Sequence, residues 1–500
     1  MADASPETIQ RLIDNSEKGL SQIEMTLPYV LDTRHAVEDA IQKQEGSNET
    51  LELQLIVLDS LLAENEVIYD LSASLNALLK ASDDYTKRFY MQSLNLCFWE
   101  SCQLFVGASE EDKYGILSRM EQLTRQTNQA GCQFLIRHIM DDIRAFRLDY
   151  ANRELRHITR HYDDPIKMYE KLSELNDVDY FARGASQLMA IRMEVSVVSS
   201  YLLNLLAPFK PFKKEEKQNV VKKNCNLKGI INEAIFKAFK EKNLKEELQK
   251  VLAQGNSSLD GCYRLHHTYR KAVVFLDEKG YDIPDVFEKI EAIVLLRMEV
   301  LYLKYDVACS IWGYLNASSE KERSQNLRMI HITKQAALTH IYGYNDKNRE
   351  KSLWAKIKAI EEASREVLKT EDVEKTLRGL VANLEGDNES SRMFAHYRFN
   401  QVFYIPARLD AFGRMWHYKE LRDSVRLLNA CKVLEGFTMD LLYRIDRKQK
   451  LATKRKYDEW MGMIDDLATT IGNEEKAIES IESLRKMVEA AYGNKKGRCF

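Results

Sequence analysis

The chain has 500 residues, a formal net charge of −3, 45% hydrophobic residues and 30% charged ones. That balance excludes a disordered chain, and the small negative charge excludes a global positive field that would draw the protein onto nucleic acid or anionic lipid. Only 7 prolines and 20 glycines occur, too few for the many tight turns of a sheet protein, so long helices and an all-α fold are expected.

The opening stretch, MADASPETIQRLIDNSEKGL, has neither the charged start nor the apolar core of a secretion signal, and a cytoplasmic protein is expected. From Ile68 the apolar positions Leu71, Leu75, Leu78 and Leu79 follow the i, i+3, i+4 spacing of a core-facing helix. Breaks fall at SNET (47–50), ASDD (81–84), GASEED (107–112), YDDP (162–165), QGNSS (254–258), NASSEKE (316–322) and LEGDNESS (384–391). Several of them offer a Ser, Asp or Asn to cap the next helix. The helical spacing returns through Val425, Leu428, Cys431, Val433, Leu434, Phe437 and Leu441. No uninterrupted run of about 18 apolar residues exists, so no membrane span is expected. Eight cysteines, including Cys225 and Cys499, show neither CxxC nor zinc spacing, which points to free thiols in a reducing compartment.

Residues 69–107 align without a gap on 305–343. Tyr69/Tyr305, Asp70/Asp306, Ser74/Ser310, Leu79/Leu315, Ala81/Ala317, Ser82/Ser318 and Gly107/Gly343 are identical, and His161-Tyr162 has a counterpart in His396-Tyr397. These matches point to an internal duplication. Two related helical-bundle domains are expected in tandem, at 1–207 and 227–445, with a lysine-rich linker at 208–226 and a C-terminal helical extension and tail at 446–500. The linker holds Pro208 and Pro211 and little apolar content.

The sharpest local feature is NRELRHITRHYDDP (152–165), which carries Arg156, His157 and His161. Arg156 and His161 lie about a turn and a half apart on a helix. An arginine can hold a phosphate with two hydrogen bonds, and a histidine near neutral pKa can move a proton to or from a ribose hydroxyl. Here the chain resembles the HEPN group of helical proteins, whose motif is an arginine, a polar residue and a histidine four to six residues beyond the arginine. The resemblance covers about 10 residues and the general helical character. It implies that Arg156 holds a scissile phosphate, His157 takes the polar position and His161 serves as acid/base. Cleavage would then pass through the 2′-OH without a metal. It also implies a site formed where two motif-bearing domains meet, and a place in a bacterial defence or stress system; other members of the group are non-catalytic. The equivalent stretch of the second half, ESSRMFAHYRF (389–399), keeps His396 but has Ser391 in place of the arginine. A helix end rich in Arg and His equally suits the C-terminal helix dipole.

His266 and His267 lack an E-x-x-H carboxylate, and His331 and His340 read as structural residues of an amphipathic helix. Glu64 and Glu66 fall on different helix faces. RKQKLATKRK (447–456) places Lys450, Lys454, Arg455 and Lys456 beside Tyr457 and Trp460, a candidate RNA-binding patch or a solvated helix surface. No GxxxxGK[ST], GxGxxG or GxSxG occurs, so neither cofactor nor metal is expected. The leading expectation is a helical interaction or regulatory module of HEPN-like descent, working with a partner chain or a second copy of itself. The alternatives are a metal-independent endoribonuclease and a scaffold with no nucleic-acid contact.

Overall fold

Long helices begin where a polar side chain can satisfy the first free N–H groups. In a computed structural model of the chain, Asn48 Oδ1 accepts from Thr50 and Leu51, Asp83 from Thr86, and Asp164 from Lys167 just ahead of Pro165. The structure describes residues 29–43, 48–107, 115–127, 129–158, 164–206, 241–280, 285–318, 320–343, 352–364 and 420–443, with single residues at 14, 283, 375, 482 and 486. The linker at 208–226 and nearly all of 446–500 lie outside them. Every element among the described residues is a helix, and the fold is all-α.

The first half holds α1 (29–43), α2 (Glu49–Lys80), α3 (Asp84–Val106), α4 (Ile116–Gln126), α5 (Ala130–Tyr150), α6 (Arg153–Ile158), α7 (Pro165–Glu174) and α8 (Val178–Leu206). The second holds α9 (Glu241–Ala253), α10 (Gly255–Glu278), α11 (Asp285–Asn316), α12 (Glu320–Tyr342) and α13 (Leu353–Ser364), followed by α14 (420–443). α2 packs against α3, α4, α8 and α12, so it is buried nearly all round and not on the single stripe expected from Leu71, Leu75 and Leu78. Its buried residues include Asp59, Glu64 and Glu66.

These carboxylates are costly to bury and must be compensated. Asp59 accepts from Arg34 Nε at 2.7 Å; burial raises its pKa and Arg34 opposes the rise. Glu64 is held well above the usual carboxyl range by burial, with Arg192 and Ser196 of α8 only partly offsetting it. A carboxyl whose pKa is raised on folding binds its proton more tightly in the native state. Its contribution is therefore favourable at acid pH and is lost as pH rises from the unfolded value near 4.5 through the folded one. Glu64→Gln should raise stability at neutral pH and flatten the pH profile over that window. Urea melts at pH 5 and pH 8 would show it; an unchanged pH slope would refute the assignment.

The helices of the two halves correspond. α2 and α11 each have 32 residues and α3 and α12 each 23. Each of these second-half helices starts 236 positions after its first-half counterpart, 49 to 285 and 84 to 320. Gly107 and Gly343, which end the second helix of each pair, have φ of 88° and 80°, where only glycine is unstrained. These four helices meet at a seam. Asp70 of α2 pairs with Arg328 of α12, and its counterpart Asp306 of α11 accepts from Tyr85 of α3 at 2.8 Å. Lys80 reaches the Asn316 carbonyl, Ser318 and Glu322. Tyr90 donates to the Cys309 carbonyl at 3.0 Å, and Gly313 lies so close to the Tyr90 hydroxyl that no Cβ would fit. One hydrophobic core, running from Leu53 and Phe98 to Tyr302 and Leu434, extends through both halves.

The interiors differ in kind. Phe98 of α3 packs with Phe146, Phe181 and Tyr150. Its counterpart in α12 is Lys334, 1% exposed, whose Nζ sits 3.3 Å from Glu420 of α14. His331 lies 3.3 Å from the same carboxylate. Leu104 and Ala63, both in the core, correspond to His340 and Glu299, which meet at 3.0 Å with Lys356 on the other oxygen at 2.6 Å. α8, whose sequence is too interrupted by charge to be expected as a membrane span, is long and apolar enough by composition, although 33% of its most apolar window is buried.

Candidate functional site

Arg156 enters the structure on a short helix anchored at its start. Asn152 Oδ1 caps α6 by accepting from Leu155 N–H at 2.9 Å. Asn95 of α3 clamps the Asn152 backbone from both sides, donating to its carbonyl at 2.9 Å and accepting from its N–H at 2.8 Å. This fixes the first turn of α6 against α3 and aims Arg156 at Glu100. Arg156 Nε and Nη2 both donate to Glu100 Oε1, at 3.1 and 2.7 Å. Glu100 is buried and Arg156 partly exposed, so the guanidinium compensates a carboxylate that could not stand alone.

Trp99 completes the group. The Arg147 guanidinium lies 4.6 Å from its ring centroid and that of Arg156 lies 5.8 Å away, both within cation–π range. Arg147 also donates to the Gly107 carbonyl at 3.4 Å. The Trp99 indole N–H is buried without an acceptor among the described residues. Cys97 and Cys102 are on the same helix, and burial pushes both thiols up to about 12; neither is a nucleophile near neutral pH.

Of the residues that the sequence nominates, Arg156 is placed in full. His157 belongs to α6, and its side chain lies outside the described residues, as do His161, His396, Lys450, Lys454, Arg455 and Lys456. The chain after the motif resumes at Asp164 and runs into α7, which borders the second half: Tyr302 of α11 donates to the Pro165 carbonyl at 3.4 Å. Tyr169 donates to Asp260 of α10 and stacks on Tyr263 at 4.4 Å. Glu154 on α6 ties to α7 through Lys167 at 3.0 Å.

Sequence reasoning missed Glu100 and Trp99, which lie far from Arg156 in the chain, and Arg147, which lies on the preceding long helix. Comparing the aligned halves finds the first two, because Glu100 and Trp99 stand where the second copy has Ala336 and Gln335. It also missed a carboxylate for His266, whose Nε2 is 3.1 Å from Glu291 of α11. His331 and His340 each sit beside a buried glutamate inside the bundle, in the structural role their helix suggested. Among the described residues no group of three or more His, Cys, Asp or Glu side chains is arranged to hold a metal, and the six described cysteines are free and buried. No family model, curated protein or solved structure matches the chain.

Proposed function

We propose that the chain is a helical interaction or regulatory module of HEPN-like descent, built from a duplicated helical unit, in which the motif arginine has taken a structural role. The observation that carries this reading is the pairing of Arg156 with buried Glu100 over Trp99. An arginine committed to a buried carboxylate would have to leave it uncompensated in order to grip a phosphate. The equal helix lengths of the two copies support the duplication. The partner is a protein chain or a second copy, and the motif's origin in a bacterial defence or stress system is part of the same proposal.

Purified protein incubated with RNA in EDTA is expected to leave the RNA intact, while Arg156→Ala is expected to cost about 3 kcal/mol of stability by stranding Glu100. RNA cleavage that disappears in His161→Ala, with Arg156→Ala still stably folded, would overturn it in favour of a metal-independent endoribonuclease. One observation favours that second reading: α7, directly after the motif, packs on α10 and α11. The scaffold alternative is removed if RNA binds with a steep salt dependence that vanishes when Lys450, Lys454, Arg455 and Lys456 are neutralised.

A further inference from the structure

α8 buries Leu188, Ile191, Val195, Val198 and Leu202, chiefly against α2 and α5. Its opposite face carries Met193, Val197, Tyr201 and Leu205, exposed by 61%, 67%, 54% and 48%. Four large apolar side chains at successive i+4 positions form one straight ridge. Monomers scatter exposed hydrophobes singly, and a continuous ridge marks a contact surface. The exposed neighbours Ser186, Ala190, Ser200 and Asn204 are small or polar, and among the described residues of α8 Glu194 is the one charge beside the ridge. These residues are separate from the Arg156 cluster, so the role of the ridge is independent of the HEPN-like reading.

The second half shows how the corresponding face is closed. α14 matches α8 in burial three residues further on than the other helices: Val195, Val198, Ser199 and Leu202 correspond to Leu434, Phe437, Thr438 and Leu441, all buried. In that register Met193, Val197 and Tyr201 correspond to Lys432, Gly436 and Asp440. Lys432 is paired within the chain to Glu247 of α9. The row that is apolar in α8 carries Lys432 and Asp440 in α14, although Met439 and Tyr443 are exposed on that helix as well.

We propose that the α8 ridge docks on the α8 ridge of a second copy of this chain, forming a closed homodimer. A row of i+4 side chains packs into the groove beside the same row of an identical helix, the commonest crossing of two helices in globular proteins. Because the ridge is uncharged, an isologous contact sets no like charges in opposition at its centre. A basic or acidic partner would find nothing there to pair with. Covering it removes on the order of 400 Å² per chain, and with the small flanking residues the pair approaches the roughly 1,200 Å² at which specific interfaces begin. An isologous contact is used up by one pairing, so assembly stops at two and does not continue into a filament.

Sedimentation of the full chain at tens of micromolar is the test. The wild type should sediment at about twice its 58.1 kDa mass. Val197→Asp and Tyr201→Asp, both at exposed positions, should return it to one mass with unchanged helicity. Asn429→Asp on the exposed face of α14 should leave the dimer intact. A monomeric wild type, or a dimer that survives both ridge variants, overturns the proposal. So does a monomer that floats with neutral phosphatidylcholine vesicles, which would assign the ridge to lipid.

Discussion

Replacing Glu420 by alanine is expected to lower the unfolding free energy by about 3–5 kcal/mol, the usual cost of removing one partner from a buried ion pair. Glu420 faces two cationic or potentially cationic groups, Lys334 and His331, each 3.3 Å from its carboxylate. Lys334 is 1% exposed, and among the described residues no other carboxylate pairs with it. With the glutamate gone, the lysine must either lose its proton inside the protein or drag water inward. The first half supplies a control from its own interior, where Phe98 occupies the place of Lys334 and stacks on Phe181 at 6.3 Å. A double variant, Lys334→Phe with Glu420→Phe, replaces the charges by apolar rings and should recover most of the loss, because buried pairs are often no more stable than hydrophobic residues of similar volume. Urea melts of the three proteins decide the matter. A Glu420→Ala variant within about 1 kcal/mol of wild type would show that the carboxylate is not what stabilises the lysine.

Phe98→Ala should cost a comparable amount, about 3–5 kcal/mol, by a different route. The ring meets Phe146 edge-on at 5.3 Å and also packs near Tyr150 and Phe181. Gly184 of α8 approaches so closely that an added Cβ would fall 3.0 Å from the Phe98 ring. Removing the ring opens a cavity walled by rigid aromatic side chains and the α8 backbone, which cannot collapse to fill it. Phe98→Leu keeps most of the volume and should cost about 1–2 kcal/mol. Thermal unfolding should rank the three proteins wild type, leucine, alanine. Equal losses for leucine and alanine would mean that shape and not volume governs the site.

Much of the fold was legible because its signals are local. Asn48, Asp83 and Asp164 were visible as caps since each acts on N–H groups two or three positions away. The match of residues 69–107 with 305–343 anticipated two helix pairs of equal length, down to the glycines that end them. The all-round burial of α2 was not legible. A periodic stripe identifies one dry face and assumes that the other is wet, whereas α2 has neighbours on every side, and Asp59, Glu64 and Glu66 are buried with it. Nor could the strict count of apolar residues show the exposed row on α8. Arg192 and Glu194 interrupt the run, yet Arg192 turns inward to Glu64, leaving the outward row apolar.

The candidate site divides in the same way. The spacing of Arg156, His157 and His161 is a property of the chain, and so is the serine at 391, where the second half aligns with Arg156. The partner that decides what Arg156 can do is Glu100, 56 residues earlier, and no local pattern links the two. The two helices are brought together by the Asn95–Asn152 clamp, whose members give no sign in the sequence of their mutual reach.

The seam carries a consequence for how such a protein can change. In an assembly of two identical chains, any substitution arrives on both sides of the interface at once and must suit both. Here Asp70 faces an arginine while Asp306, its counterpart, faces a tyrosine, so each side answers to its own neighbours. A single polypeptide can therefore give its two halves different occupations without weakening their union. The charged interior around Lys334, the aromatic interior around Phe98, and an arginine at 156 with no arginine at 391 are forms of that independence.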